Sequence, residues 1–169
     1  KHDRDSLLSV VKAHAVVDCG CAKGMVGSDT LHEHDTLLRN QHGLKTCVDH
    51  EKSGTNFQFG NETCQKSEGE AEVPSGVAGH SAVYDFSVLP GGVPFLFAKP
   101  QLKAVKARLD FGNDTIYIPD IDKSIVLPEG PTGHYLLPLC DFPVDGFQAV
   151  TSPKIKGDGV TVFMSESRT

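Results

Sequence analysis

The chain has 169 residues, of which 38% are hydrophobic and 22% charged, a composition that suits one soluble globular domain with a sizeable core. Its 17 glycines and 10 prolines, with no tryptophan, favour many turns and short strands over a helical bundle. The formal net charge of −6 without a Lys/Arg run argues against a nucleic-acid partner. No apolar run approaches the roughly 20 residues that cross a bilayer, so we expect no membrane insertion.

The predicted elements are mostly short strands separated by turns that contain Gly or Pro. The first strand is β-branched and ends at Asp18, which it delivers into a turn containing Gly20. Later apolar or alternating runs predict strands at residues 57–59, 70–77, 82–89, 93–98, 109–111, 115–118, 124–127 and 134–139. Two short helices are predicted, at residues 29–38 and 101–107, and Pro100 suits the first turn of the second.

This order of elements predicts an all-β domain, a small barrel or sandwich, over residues 1–142. The remaining residues, 143–169, are rich in Gly, Ser and Pro and predict an extended C-terminal arm. The alternation of Phe57, Gln58 and Phe59 ahead of Gly60 and Asn61 is typical of a hairpin.

The cysteines point to a compartment rather than to a disulfide framework. Their number, five, is odd, and Cys19 and Cys21 lie too close in sequence to belong to such a framework. Reduced thiols in an intracellular protein are the simpler interpretation, so we expect an intracellular location.

Residues 15–22, with the sequence AVVDCGCA, resemble the active-site strand and turn of retropepsins, where hydrophobic residues precede Asp-Thr/Ser-Gly. An Asp-x-Gly after a strand is common, so the resemblance depends on the order of the segments downstream of it. The later segments come in the family's order. Residues 57–61 are similar to the start of the flap hairpin, and residues 73–79 to the strand and turn after it. Residues 84–90 and 93–99 are similar to the late strands, 101–111 to the helix and the strand that follows it, and 133–139 to a trailing segment. Together these segments lie within residues 13–142, most of the chain.

The resemblance implies a closed retropepsin-like barrel with one short C-terminal helix. It implies an aspartic endopeptidase of the retrotransposon polyprotein type that cuts peptide bonds within extended segments and uses no cofactor. The site residues that it implies are the catalytic Asp18, the active-site turn Cys19, Gly20, Cys21 and Ala22, and the flap or substrate-binding residues Phe57, Phe59, Gly60 and Asn61.

Catalysis by this class needs two carboxylates that share one proton, because like charges about 3 Å apart cannot both ionise. Only one Asp-x-Gly of this chain stands after a strand in the family's order, so the resemblance implies a homodimer in which each copy contributes Asp18. The implied partners are therefore a peptide or polyprotein substrate and a second copy of the chain.

Two departures from the family pattern keep an alternative open. Cys19 replaces the usual Thr or Ser, whose hydroxyl braces the paired turns of the dimer, and a thiol is a weak donor and acceptor. Ala22 stands where the family commonly has a hydroxyl or carboxylate. The alternative is a catalytically silent retropepsin-like domain that serves as a structural or interaction subunit of a larger assembly.

Three other interpretations of these residues are open. Asp18 has an ordinary alternative role as a turn residue that bonds its own loop. The pairs Cys19/Cys21 and His32/His34 offer zinc ligands, but the one-residue cysteine spacing is unlike that of structural zinc sites, and we predict no metal. Cys19 could act as a nucleophile only with a base such as His14 or His32, which the sequence does not place beside it.

Overall fold

The structure, a computed structural model, describes residues 12–54, 56–58, 64–148 and 162–163. Within these residues the chain is mostly β-sheet with two α-helices, which confirms the predicted all-β class. The strands are β1 His14–Asp18, β2 Met25–Gly27, β3 Cys47–Asp49, β4 Asn56–Gln58, β5 Cys64–Lys66, β6 Gly69–Val77, β7 His80–Leu89, β8 Phe95–Ala98, β9 Arg108–Asp110, β10 Thr115–Ile118, β11 Lys123–Val126, β12 Leu136–Pro138 and β13 Val162–Phe163. The helices are α1 Ser28–His42 and α2 Lys99–Ala104.

One large sheet carries most of these strands, in the order β12-β1-β8-β2-β7-β6-β3, and β13 also pairs with β7. Strand β1 runs parallel to β8 and antiparallel to β12. A separate antiparallel sheet contains β9, β10 and β11, and β4 pairs with β5 in a hairpin. The pairings among the described residues leave the large sheet open at β12 and β3, so the closed barrel stays a prediction.

The longest pair of strands, β6 and β7, is joined by a turn at Ala78 and Gly79. Both residues have positive φ, 48° and 79°, which is the geometry of the tight hairpin turns that match the twist of the flanking strands. The antiparallel register runs without a break from Gly69 opposite Val88 to Val77 opposite His80. The pairing with β7 therefore stabilises a nine-residue strand, β6, although apolar and polar residues alternate only weakly in its sequence.

The core lies where β7 and β8 face each other with aromatic side chains. Tyr84 meets Phe97 at 5.1 Å between ring centroids, and Phe86 meets Phe95 at 4.9 Å, both edge to face. All four rings are at most 2% exposed. Edge-to-face aromatic pairs have a preferred geometry and stabilise the fold beyond the burial of their apolar area. These pairs therefore hold β7 and β8 in a defined position relative to each other.

Both helices differ in length from the sequence prediction. Helix α1 continues four residues past the predicted end and stops at Gly43, whose φ of 64° suits a left-handed C-cap. Helix α2 begins at Lys99 and ends at Ala104, earlier than predicted, because Lys106 takes a left-handed backbone with a φ of 54°. The predicted position of Pro100 in the first turn is confirmed.

The predicted C-terminal arm falls largely outside the described residues, of which 143–148 and 162–163 belong to it. The two-residue strand β13 pairs with Val83 and Ala82 of β7. The division into a domain and an arm stays a prediction. Neither helix in the described part of the chain combines the length and the apolar character that a membrane span requires.

Candidate active-site turn

Asp18 is the last residue of β1 and lies in the interior of the large sheet. Its Cα is paired with that of Ala98 in β8, and β12 flanks β1 on the other side. The residues before it, Ala15, Val16 and Val17, are buried, as expected for a strand covered on both faces. Asp18 itself is half-buried, so a buried, β-branched strand delivers its carboxylate to the surface at a fixed position.

The turn after Asp18 holds the carboxylate by its own backbone. The Cys21 amide donates to the Asp18 carbonyl at 3.2 Å, and the Gly20 amide donates to Asp18 Oδ1 at 3.0 Å. A Cβ at Gly20 would lie 3.3 Å from that Oδ1, so a side chain there would crowd the carboxylate. Oδ2 of Asp18 accepts no hydrogen bond from the described residues.

A second Asp-x-Gly also follows a strand, and it shows the ordinary role of this pattern. Gly112 N–H donates to Asp110 Oδ1 at 2.9 Å, matching the bond at Asp18. Asn113 adds a backbone bond to Oδ1 and a side-chain bond from Nδ2 to Oδ2, so both carboxylate oxygens of Asp110 are occupied. These bonds, the side-chain bond from Asn113 first, hold the pKa of Asp110 below its ordinary value. The two sites differ at Oδ2, which accepts a hydrogen bond from Asn113 in Asp110 but has no partner among the described residues in Asp18.

The other turn residues differ in exposure. Cys19, Gly20 and Ala22 are exposed, whereas Cys21 is half-buried and its Sγ donates to the Lys23 carbonyl at 3.3 Å. Burial raises the pKa of the Cys21 thiol above its ordinary value, and the negative charge of Asp18 adds to that effect. Cys21 is therefore a protonated thiol at neutral pH and a poor nucleophile.

The predicted flap is partly described. Phe57, in β4, is 8% exposed and packs in an apolar cluster with Met25 and Leu89, against which Cys21 and Leu96 also pack. The structure thus brings the base of the β4–β5 hairpin to the same cluster as the turn after Asp18. Phe59, Gly60 and Asn61 lie outside the described residues.

Gln101 supports the strand beside the turn after Asp18, and sequence reasoning missed it. Its side chain is fully buried; Oε1 accepts from the Ala98 amide at 2.8 Å and Nε2 donates to the Asp85 carbonyl at 3.0 Å. These bonds join the start of α2 both to Ala98, the β8 residue paired with Asp18, and to Asp85 in β7. A Cβ at Gly24 would lie 2.4 Å from Gln101 Oε1, so this glycine makes room for the amide. A glutamine after a proline gives no sequence signal for such a role.

An ion pair anchors the other side of the turn. Lys23 Nζ contacts Glu70 Oε1, which also accepts a hydrogen bond from Ser87 Oγ at 2.6 Å. Both partners of the ion pair are partly buried, with side-chain exposures of 24% and 18%. The network joins the loop after the turn to β6 and β7, and because Lys23 and Glu70 are 47 residues apart in sequence, it could not be read from local pattern.

The structure does not gather the residues considered as zinc ligands. His34 is buried against Phe95 with ring centroids 5.0 Å apart, whereas His32 and Cys19 are exposed. Among the described residues no group of three or more His, Cys, Asp and Glu side chains is placed to hold a metal ion. Within the same residues no hydrogen bond joins Cys19 to a histidine, so the structure does not supply the base that a Cys19 nucleophile would need. All five cysteines are free.

No known protein family model matches the chain, and a search of curated proteins finds no significant match. Function is therefore inferred from the residues and the geometry of the turn.

Proposed function

We propose that the chain is a retropepsin-like domain that acts as an aspartic endopeptidase, with Asp18 as the catalytic carboxylate of each copy. The observation that carries this proposal is the contrast between two similar turns. Asp18 is half-buried at the end of an interior strand, with Oδ1 held by Gly20 and Oδ2 free of partners among the described residues. Asp110 has both oxygens bonded within its own turn. Of the two, Asp18 alone keeps an oriented oxygen for a water molecule or a second carboxylate.

The chemistry follows from the pairing of two such carboxylates. Two copies related by a two-fold axis would bring their Asp18 side chains together, where one stays protonated and the other ionised. The ionised carboxylate takes a proton from the attacking water, and the protonated one donates to the peptide carbonyl, so the pair acts as base and acid. The bond from Gly20 holds Asp18 during this exchange. The hairpin of β4 and β5, based on Phe57, would close over an extended peptide and exclude water.

Several features of the fold support the retropepsin-like barrel as its architecture. The strand that ends at Asp18 lies beside β8, which leads directly into helix α2, and a long hairpin of β6 and β7 follows the β4–β5 hairpin. This is the order that the resemblance implies for the active-site strand, flap, late strands and helix. We propose that two such domains form the active homodimer and that its substrates are peptide bonds in extended segments of a polyprotein.

One observation favours the silent alternative, a domain that serves as a structural or interaction subunit. Cys19 is exposed and makes no hydrogen bond within the described residues, and Ala22, also exposed, offers only a methyl group. Both positions therefore lack the hydroxyl or carboxylate that would brace the paired turns. Weak bracing predicts a weak dimer, and a chain that does not dimerise cannot complete the pair of carboxylates.

The test is a peptidase assay on the purified chain between about pH 4 and 7, with and without a pepstatin-like inhibitor. Asp18→Asn keeps the shape of the side chain and removes the titrating group, so it should abolish cleavage and leave the fold intact. Asp120→Asn, an exposed residue elsewhere, is the matched control and should cleave as the wild type does. Cleavage that survives Asp18→Asn would refute the mechanism.

Sedimentation of the same samples tests the dimer. Cys19→Thr restores a hydroxyl, which braces paired turns better than a thiol, so dimer affinity or cleavage rate should rise. A monomer that cleaves at full rate would contradict the shared site. A chain that neither cleaves nor gains activity with Cys19→Thr would favour the silent interaction subunit.

A further inference from the structure

A groove of about 510 Å³ lies beside the turn that follows Asp18 and is lined by basic residues. Cys19 lines the groove together with three exposed lysines on and just beyond α2, Lys99, Lys103 and Lys106. None of the described residues that line it is acidic. Three cations on one groove stand out in a chain whose net charge is −6.

These lysines are not neutralised by the described part of the domain. There the ion pairs are Lys23 with Glu70 and Arg39 with Asp35, and none of the groove lysines takes part in one. A helix C-terminus favours cations, which would account for Lys103 and Lys106 but not for Lys99, since an ammonium group at the first helical residue is unfavourable. Lys106 also keeps a left-handed backbone where glycine is the usual residue.

The spacing of the cations matches an extended polypeptide. Lys99 and Lys103 stand four residues apart on α2, so their Cα atoms are separated by about 6 Å along the helix axis. Alternate side chains of an extended chain point to the same side and are separated by about 6.6 Å. Acidic side chains at alternate positions of an extended segment would therefore meet successive lysines.

The apolar residues of the groove add a second requirement. Leu102, Ala107 and Leu109 also line it, and all three are buried or half-buried. A short aliphatic side chain of the bound segment would cover this apolar surface, whereas the ribose and phosphate of a nucleic acid would not. The negative charge of the domain as a whole also opposes a polyanion much longer than the groove.

We propose that this groove is a docking site for an acidic, extended polypeptide segment with carboxylates at two alternate positions and an aliphatic residue at the next alternate position, so that all three side chains point toward the groove. Asp18 is not among the residues that line the groove, so docking does not require its carboxylate, although the groove shares Cys19 with the turn that the proposed dimer would pair. Because Cys19 is adjacent to Asp18 and lines the groove, a docked segment would cover the Cys19 thiol. The site is thus an interaction surface for an acidic partner, whether or not the domain cleaves peptides.

The test measures the binding of a fluorescent ten-residue peptide to the Asp18→Asn chain, which cannot cut it. The peptide has Glu-Ser-Glu-Ser-Leu at its centre, which places both carboxylates and the leucine on one side of the extended chain. A peptide with Gln in place of Glu is the ligand control. Lys103→Glu should weaken binding by about fivefold, as expected for exposed charge pairs, and Lys123→Glu, which changes the net charge equally on β11, should not. Raising the salt concentration should weaken binding further, because exposed charges are screened. Docking should also slow the alkylation of Cys19 and leave the exposed Cys47 unaffected.

Selective binding of the Glu peptide, lost with Lys103→Glu and accompanied by protection of Cys19, would establish the site. Equal affinity for the Glu and Gln peptides, or an equal loss with Lys123→Glu, would overturn it. Displacement of the peptide by a thymidine oligonucleotide at lower concentration than by unlabelled peptide would reassign the groove to nucleic acid. Absence of binding would also overturn it, and would leave the peptidase proposal standing, since that is tested with wild-type chain and Asp18.

Discussion

Acidification should weaken the fold through His34, the buried histidine of α1. Its ring is 4% exposed and packs edge-on against Phe95, and neither ring nitrogen has a hydrogen-bond partner among the described residues. Burial lowers the pKa of His34 from 6.5 to about 4; the charge of Asp35 opposes this effect and that of His42 adds to it. The folded protein therefore resists protonation of His34 in a range where the unfolded chain accepts the proton.

The sign and size of the effect follow from that difference. Well above pH 6.5 the ring is neutral in both states, so His34 contributes no pH dependence to the free energy of unfolding there. As the pH falls from 6.5 to about 4, only the unfolded chain takes up the proton, and stability is lost progressively. Since each pKa unit corresponds to about 1.4 kcal/mol, the loss reaches about 3 kcal/mol at pH 4. That is a large part of the roughly 5–15 kcal/mol that stabilises a typical domain.

The assay is urea unfolding followed by far-UV circular dichroism at several pH values between about 7.5 and 4. His34→Leu removes the titrating ring and should flatten the profile, so that its stability relative to wild type rises by about 3 kcal/mol across this range. His32→Leu removes an exposed histidine from the same helix and should keep the wild-type slope. Parallel profiles for wild type and His34→Leu would refute the reasoning. The result also bears on the peptidase assay, because at pH 4 a smaller folded fraction would lower any cleavage rate.

Two further predictions concern the support of the Asp18 turn. Gln101→Leu should lower the free energy of unfolding by about 2–4 kcal/mol, because the Ala98 amide and the Asp85 carbonyl both lose their bond to its side chain. Lys103→Leu on the same helix is the control and should change the free energy of unfolding little. Equal urea midpoints for the two variants would contradict this prediction. Gly20→Ala and Gly112→Ala each place a Cβ 3.3 Å from an aspartate Oδ1, so both should lower the free energy of unfolding by a similar small amount. If Asp18 is catalytic, only Gly20→Ala should lower the cleavage rate. An equal loss of cleavage in both would point to general destabilisation.

The parts of the fold that depend on neighbouring residues were predictable. The β-branched run before Asp18 and the Gly after it dictate a strand and a turn wherever the strand is placed, and the structure has both. The position of Pro100 at the start of a helix is equally local. The predicted α1 is too short because its last four residues, 39–42, are all exposed and add no apolar position to the pattern before the Gly43 C-cap.

Pairing between distant segments explains what the local pattern left open. The strand predicted at residues 70–77 is present as β6, although it contains Pro74 and a proline usually argues against a strand. Because β3 pairs only with residues 70–72, β6 is an edge at Pro74 and loses no bond on that side. The Asp-x-Gly pattern occurs at the ends of both β1 and β9, and only the hydrogen bonds of Asn113 distinguish the occupied carboxylate from the available one.

The basic groove also depends partly on local sequence and partly on pairing between distant segments. Lys103 and Lys106 fall within the helix predicted at residues 101–107, and Lys99 lies just before it. The structure begins α2 at Lys99, and helical geometry then places Lys99 and Lys103 on one face. That this face borders the turn after Asp18 is a consequence of the parallel register of β1 and β8, which sets Asp18 opposite Ala98 across 80 residues of chain. Local propensity acts through bonds between near neighbours, so it determines strands, turns and caps. Which surfaces those elements share is determined by burial and by backbone pairing between segments far apart in sequence, and these exist only in the folded chain.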